Sequence, residues 1–130
     1  MHPYHHAVSS VRKFGGQPED YQQIHDWFDG SKMMFADYRH RALRHHAEGI
    51  FMAETIFGPT ITNSEGKQVP TRYVGEQHVR EDLGFIPSVQ DWFTKIKGEQ
   101  WMRPKPHEVA PDVLEMSLGF HLVQPKKQQP

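Results

Sequence analysis

The segment from Lys32 to Phe57 constrains the fold more than any other part of the chain. It is bracketed by Gly30 and by Gly58-Pro59, and its apolar residues recur at helical spacing. Placed at about 100° per residue, Phe35, Tyr38, Ala42, Leu43, Gly49, Ile50, Ala53, Ile56 and Phe57 fall in one arc. Asp37, Arg41, Arg44, Glu48 and Thr55 gather on the opposite side. The pattern predicts one long central helix, with Ser31 as its N-cap and Gly58-Pro59 as its stop. Arg39 and His46 project into the same apolar arc. A cation placed there needs a partner, because burying it alone costs several kcal/mol. Glu54, at the edge of the arc two turns beyond His46, could be that partner or could sit on the same site.

Other elements arrange themselves around this helix. Residues 1–17 read as an irregular arm ending at Gly15-Gly16. Pro18, Glu19 and Asp20 suit the first turn of a helix whose inward stripe is Tyr21, Ile24, His25 and Phe28. Residues 60–74 alternate like strands around Asn63-Ser64-Glu65-Gly66, a hairpin with Gly66 at the positive-φ position and Pro70 confining the second strand to an edge. A short helix is expected over residues 75–83. Ser88 and Asp91 form a capping box for a helix with Val89, Trp92, Phe93 and Ile96 on one face. The fold expected is mainly α (α+β): a compact helical domain over residues 1–103 with a small inserted β-hairpin. Residues 104–130 form a proline-rich, partly flexible extension, with a short helix at 111–118, a strand at 120–123 and a disordered end.

Composition narrows the chemistry. The 130 residues include ten histidines and no cysteine, and the formal net charge is −1 with histidine neutral. Thiolate zinc sites and disulfide scaffolds are excluded, so a metal would be held by imidazole and carboxylate. No global field favours nucleic acid. The basic run from Arg39 to His46 could touch phosphates, but such runs are usually solvated helix. Nothing reaches the roughly 20 apolar residues of a membrane span.

Histidine and carboxylate recur at helical spacing. His25 and Asp29 are four apart and share a face, so the acid could fix the imidazole tautomer. The dipeptide His25-Asp26 resembles the motif of metal-dependent HD phosphohydrolases, whose pattern also needs an earlier histidine and a later aspartate. His78, Glu81 and Asp82 offer three ligands on one face of a short helix. The ligands expected for a divalent zinc, iron or manganese ion are therefore His25, His46, His78, Glu81 and Asp82. His40 and His45 flank the central arc, and His5 or His6 could fold over the site.

The blocks HAVSS (6–10), FGGQPEDYQQIHDWFD (14–29), RHRALRHHAEGIFMAETIFG (39–58) and GEQHVREDLGFIPSVQDWF (75–93) resemble a family of small uncharacterised proteins of bacteria and bacteriophages, a domain of unknown function. The resemblance runs from about residue 3 to residue 101. It implies a cytoplasmic setting, in a bacterium or a phage-infected cell, and carries over no catalytic role.

Two functional expectations follow. In the first, the chain is a metal-dependent hydrolase of a phosphoester or nucleotide. A bound ion would generate hydroxide, Asp29 or Glu54 would act as general base, and Arg39 or Arg44 would steady a small anionic substrate. In the second, it is a non-enzymatic interaction module. Buried His, Arg and Glu then form a structural network, and Trp27, Trp92, Trp101 and the hairpin edge offer a surface to a protein partner or a second copy. A closed structural zinc site lies between the two. An open coordination position in a cleft would favour the enzyme, and four protein ligands in a closed site would favour structure.

Overall fold

A computed structural model describes residues 1–106. Met1–Ile96 forms one compact unit. In the described part of the second unit, Gln100–Met102 makes a single 3-10 turn. The helix and strand anticipated at 111–118 and 120–123 lie outside the described residues.

The first unit is mainly helical with one two-stranded antiparallel sheet, as the sequence implied. Its elements are α1 (Pro3–Phe14), α2 (Pro18–Asp29), α3 (Ala47–Phe57), β1 (Thr60–Thr62), β2 (Gln68–Pro70), α4 (Thr71–Leu83) and α5 (Val89–Phe93), with 3-10 stretches at Gly30–Met33 and Tyr38–Leu43. Helices α1, α2 and α4 pack together, and α3 lies against α2 and α4. Tyr21, Ile24 and Phe28 of α2 meet Ile50 and Ala53 of α3, Val74 and Val79 of α4, Ala7 of α1 and Val69 of β2 in one core. Each fully buried large apolar side chain contributes about 1.5–3 kcal/mol.

Two expectations fail here. The N-terminal arm is a twelve-residue helix, capped by the His2 side chain and carrying Pro3 in its first turn. Its apolar Ala7, Val11 and Phe14 face the core, which places His6 and Ser10 inside the molecule. The long central helix is broken. The Asp37 side chain caps the 3-10 stretch by accepting the Arg39 N–H, and His46 starts α3 as its N-cap. Ser31 caps no long helix; it is buried and bonded to His40.

The break follows from polar side chains that a continuous helix would have buried. Arg39 turns out to solvent and pairs with Asp37 at 2.8 Å. His46 turns in, accepts the Gly49 N–H at Nδ1 (2.9 Å) and donates from Nε2 to the Ala42 carbonyl (3.1 Å). Only part of the second half of the apolar arc is core: Gly49, Ile50 and Ala53 are buried, whereas Phe35, Tyr38, Leu43 and Ile56 are exposed. Gly49 is required by close approach, since a Cβ there would lie 1.9 Å from the Arg44 carbonyl oxygen.

The hairpin forms with Ile61 opposite Val69 and Gly66 at φ 81°. Its turn is tied to the helices: Asn63 donates to Phe14 O and Tyr21 Oη, and Asp20 accepts from Ser64. Helix α4 begins at Thr71, four residues earlier than the pattern implied. The Ser88–Asp91 capping box is present, on a helix of only five residues whose Phe93 is exposed. Among the described residues no helix is long and apolar enough to cross a membrane.

Candidate metal centre

Four elements deliver ionisable side chains to one buried point. Asp29 is the last residue of α2, His45 sits in the turn between the Tyr38–Leu43 stretch and α3, and His78 and Asp82 lie four apart on α4. Helix α1 adds His6 from the other side. The His45 turn is held from outside by the α4–α5 segment: Trp92 Nε1 donates to the His45 carbonyl (3.0 Å), and Ala47 N–H donates to Pro87 O (2.8 Å).

Ligand atoms of four residues form a closed ring. His45 Nε2 lies 3.0 Å from Asp82 Oδ2, which is 3.3 Å from His78 Nε2; that nitrogen is 3.3 Å from Asp29 Oδ1, which returns to His45 Nε2 at 3.5 Å. All four atoms lie within 4.8 Å of one another, so they could hold a metal ion. The side chains are 0 % exposed for both histidines, 7 % for Asp29 and 2 % for Asp82. Asp29 Oδ2 and His45 Nδ1 are buried with no hydrogen-bond partner among the described residues.

Burial alone would raise the pKa of both aspartates, but the imidazoles prevail. The facing imidazoles of His45 and His78 hold Asp29 well below the usual carboxylate range, and those of His45, His6 and His78 do the same for Asp82. The outward oxygen of Asp82, Oδ1, meets His6 Nε2 at 3.2 Å, the Met1 ammonium at 3.5 Å and Arg41 at 3.8 Å. His6 Nδ1 meets Glu81 Oε1 at 2.8 Å. With an acid at each ring nitrogen, the His6 pKa is raised although burial works to lower it. Glu81 is held low against its desolvation by hydrogen bonds from Ser9, His6 and Gln77.

A second trio, His6, His25 and His78, also offers three nitrogens close together. Its geometry suits hydrogen bonding better than a shared ion. The His6 and His78 rings are stacked with centroids 3.8 Å apart, and both His6 nitrogens already face carboxylates. Lone pairs lie in the ring plane, so stacked rings do not aim theirs at one point. His25 bonds His78 through Nδ1 (2.9 Å) and Ser10 through Nε2 (2.8 Å). Burial first, then the charges of His78 and His6, push its pKa down to about 2, so His25 is neutral.

The residues singled out from sequence thus separate. Asp29, His78 and Asp82 join the ring, and Glu81 and His25 stand behind it. His46 does not, because both its nitrogens are committed at the start of α3. Glu54 faces Arg72 at 3.8 Å and Arg39 is bound to Asp37 at the surface, so the two do not meet each other or the ring. Arg44 donates to Trp27 O and lies over the Trp27 ring. Asp26 is exposed and accepts from Gln22, so the His-Asp dipeptide does not act as a unit. His6 and His45 were not placed in the ligand set by sequence. The Pro3 start and the spacing of Ala7, Val11 and Phe14 would have brought in His6, and Glu48 in the first turn of α3 marked the break that turns His45 inward.

Two surface clefts border the site. One of about 300 Å³ is lined by Lys13, Phe14, Tyr73, Glu76, Gln77, Arg80 and Glu81. Another of about 560 Å³ is lined by Met1 and residues of α1 together with Glu81. Glu81 reaches both, whereas none of the four ring residues lines either.

Residues 1–102 match the model of a family described as Domain of unknown function (DUF6915), and the chain belongs to that family. No curated protein and no solved structure matches it significantly.

Proposed function

We propose that this domain is a metal-binding module whose one divalent ion is held by His45, His78, Asp29 and Asp82 and fastens α2, α4 and the turn before α3 together. One observation carries the reading: two buried carboxylate oxygens and two imidazole nitrogens alternate around a ring with edges of 3.0–3.5 Å. With four edges of about 3.3 Å and no separation above 4.8 Å, a point between the four atoms lies about 2.0 Å from each if they close to a tetrahedron and about 2.3 Å if they open to a square, near the roughly 2.0–2.2 Å of zinc–nitrogen and zinc–oxygen bonds. Without an ion, each Nε2 has at most one proton to divide between two carboxylates. With one, the charge of both acids is met at short range and each nitrogen supplies a lone pair. The two-nitrogen, two-oxygen set suits zinc, iron or manganese over calcium or magnesium. Low exposure of all four groups favours a closed, structural ion.

The alternative is hydrolysis of a phosphoester or nucleotide at the same centre. Asp29 Oδ2, buried and without a partner, favours it as the group placed to take a proton from a bound water. Arg41, with its guanidinium 3.8 Å from Asp82, is then the cation nearest an anionic substrate, in place of Arg39 or Arg44. Cobalt(II) substitution tests the first reading, since a closed four-ligand site gives the intense visible bands of tetrahedral cobalt. Zinc- or manganese-loaded protein incubated with chromogenic phosphomonoesters and phosphodiesters tests the second. Turnover abolished by chelator and by Asp29→Asn would replace the structural role with the hydrolytic one. Failure to bind cobalt at all would remove both.

A further inference from the structure

We infer that His25 is a positioning residue: with Ser10 and Gln77 it fixes His78 as the tautomer that carries its proton on Nδ1 and turns an unprotonated Nε2 toward the two aspartates. The inference rests on the metal-binding reading and adds what selects the ligand atom.

In a chain of buried hydrogen bonds, each direction is set by the one before. Gln77 Nε2 donates to the His6 carbonyl (2.9 Å) and to Glu81 Oε1 (3.1 Å), which orients the amide. Its Oε1 therefore faces Ser10 Oγ at 2.6 Å, the His6 carbonyl lies 3.1 Å from the same hydroxyl, and both can only accept, so the single hydroxyl proton of Ser10 is committed to them. Ser10 Oγ must then accept from His25 Nε2 at 2.8 Å, which places the His25 proton on Nε2. Fully buried and with no carboxylate paired to it among the described residues, the His25 ring carries one proton and has only a lone pair left at Nδ1. That lone pair, 2.9 Å from His78 Nδ1, accepts the His78 proton. His78 Nε2, 3.3 Å from both Asp29 Oδ1 and Asp82 Oδ2, is then the free nitrogen of a neutral ring. Metal-bound histidines commonly donate their second N–H to a carboxylate or carbonyl that fixes the tautomer. Here an imidazole fills that place, and a serine and an amide on α1 and α4 hold it. His6 and Phe28 both stack on His78 and keep the ring from turning; the His78 centroid is 3.8 Å from that of His6 and 4.9 Å from that of Phe28.

The test compares zinc affinity, by competition with a chelating dye, in the full-length protein and in His25→Phe, His25→Asn and Asp82→Asn. His25→Phe removes the acceptor and is expected to weaken binding roughly 10–100-fold, the usual cost of losing such a partner. His25→Asn, whose Oδ1 can accept from His78 Nδ1, is expected to recover most of that loss; a purely space-filling role would favour the phenylalanine. Wild-type affinity in His25→Phe together with lost affinity in Asp82→Asn would overturn the positioning role and leave the metal reading standing. Unchanged affinity in Asp82→Asn would overturn both. Should His25→Phe fail to fold, nitrogen-15 spectra of the zinc-loaded wild type decide. A coupling across the hydrogen bond between His25 Nδ1 and His78 Nδ1, with the His25 proton on Nε2, supports the inference, and a His25 proton on Nδ1 refutes it.

Discussion

Replacing Asp82 with asparagine separates an ion-held centre from a hydrogen-bonded one. Asp82 Oδ2 contacts both ring histidines and Oδ1 contacts His6. The substitution keeps the shape and removes the charge. Four-ligand zinc sites are worth about 10–16 kcal/mol, so one ligand in four accounts for about 3–4 kcal/mol, roughly 100- to 1,000-fold in Kd. Zinc at about 1,000 times the wild-type Kd stabilises the folded protein by about 4 kcal/mol. For a unit the size of Met1–Ile96, that raises Tm by about 15–30 °C over the chelated protein. The same zinc concentration would stand at only about 1–10 times the Kd of Asp82→Asn and add about 0.4–1.4 kcal/mol. Melting curves with zinc and with chelator, for both proteins, measure the difference. Asp82→Asn should also be less stable than wild type in chelator, because His6 loses one of its two acids. Equal zinc shifts in the two proteins would refute the assignment of Asp82 as a ligand.

Three further outcomes follow from the fold. Gly49→Ala should destabilise the protein by about 3 kcal/mol or more in urea unfolding, since the new methyl meets the Arg44 carbonyl rather than a yielding side chain. His46 is neutral in the folded state: burial lowers its pKa, and its Nδ1 must stay unprotonated to cap Gly49. Its contribution is therefore complete above the unfolded value of about 6.5 and is lost as pH falls through the lower folded value. Metal-free His46→Asn, which retains a good N-cap, should show a shallower loss of unfolding free energy between pH 7 and pH 5 than wild type. Arg39→Ala and Glu54→Gln should each change stability by less than about 0.5 kcal/mol and leave zinc affinity unaltered, as expected of surface groups outside the site.

Much of the fold was legible in local chemistry. The start of α2 at Pro18, the Asn63–Gly66 turn and the Ser88–Asp91 box are each written in a few neighbouring residues. The break within residues 32–57 was not, because periodicity places Arg39 and His46 without asking whether they find partners. The structure answers by spending one on Asp37 and the other on the start of α3. That change of phase brings His45 to the ring and takes His46 away. His78 and Asp82 were legible as an i, i+4 pair on one helix, and Asp29 by its spacing from His25. Their convergence was not, since it depends on how α2 and α4 cross. His6 was hidden for a different reason: a helix rich in histidine and serine presents a weak apolar signal until its partners are in place.

The central claim is that one ion sits among His45, His78, Asp29 and Asp82. Elemental analysis of untagged, freshly purified protein tests it most directly, repeated after chelation and reconstitution and on a His45→Ala, His78→Ala double variant. The account requires about one equivalent of zinc, iron or manganese in the wild type, restored on reconstitution and absent from the variant. No stoichiometric metal before or after reconstitution, or the same content in the variant, would contradict it.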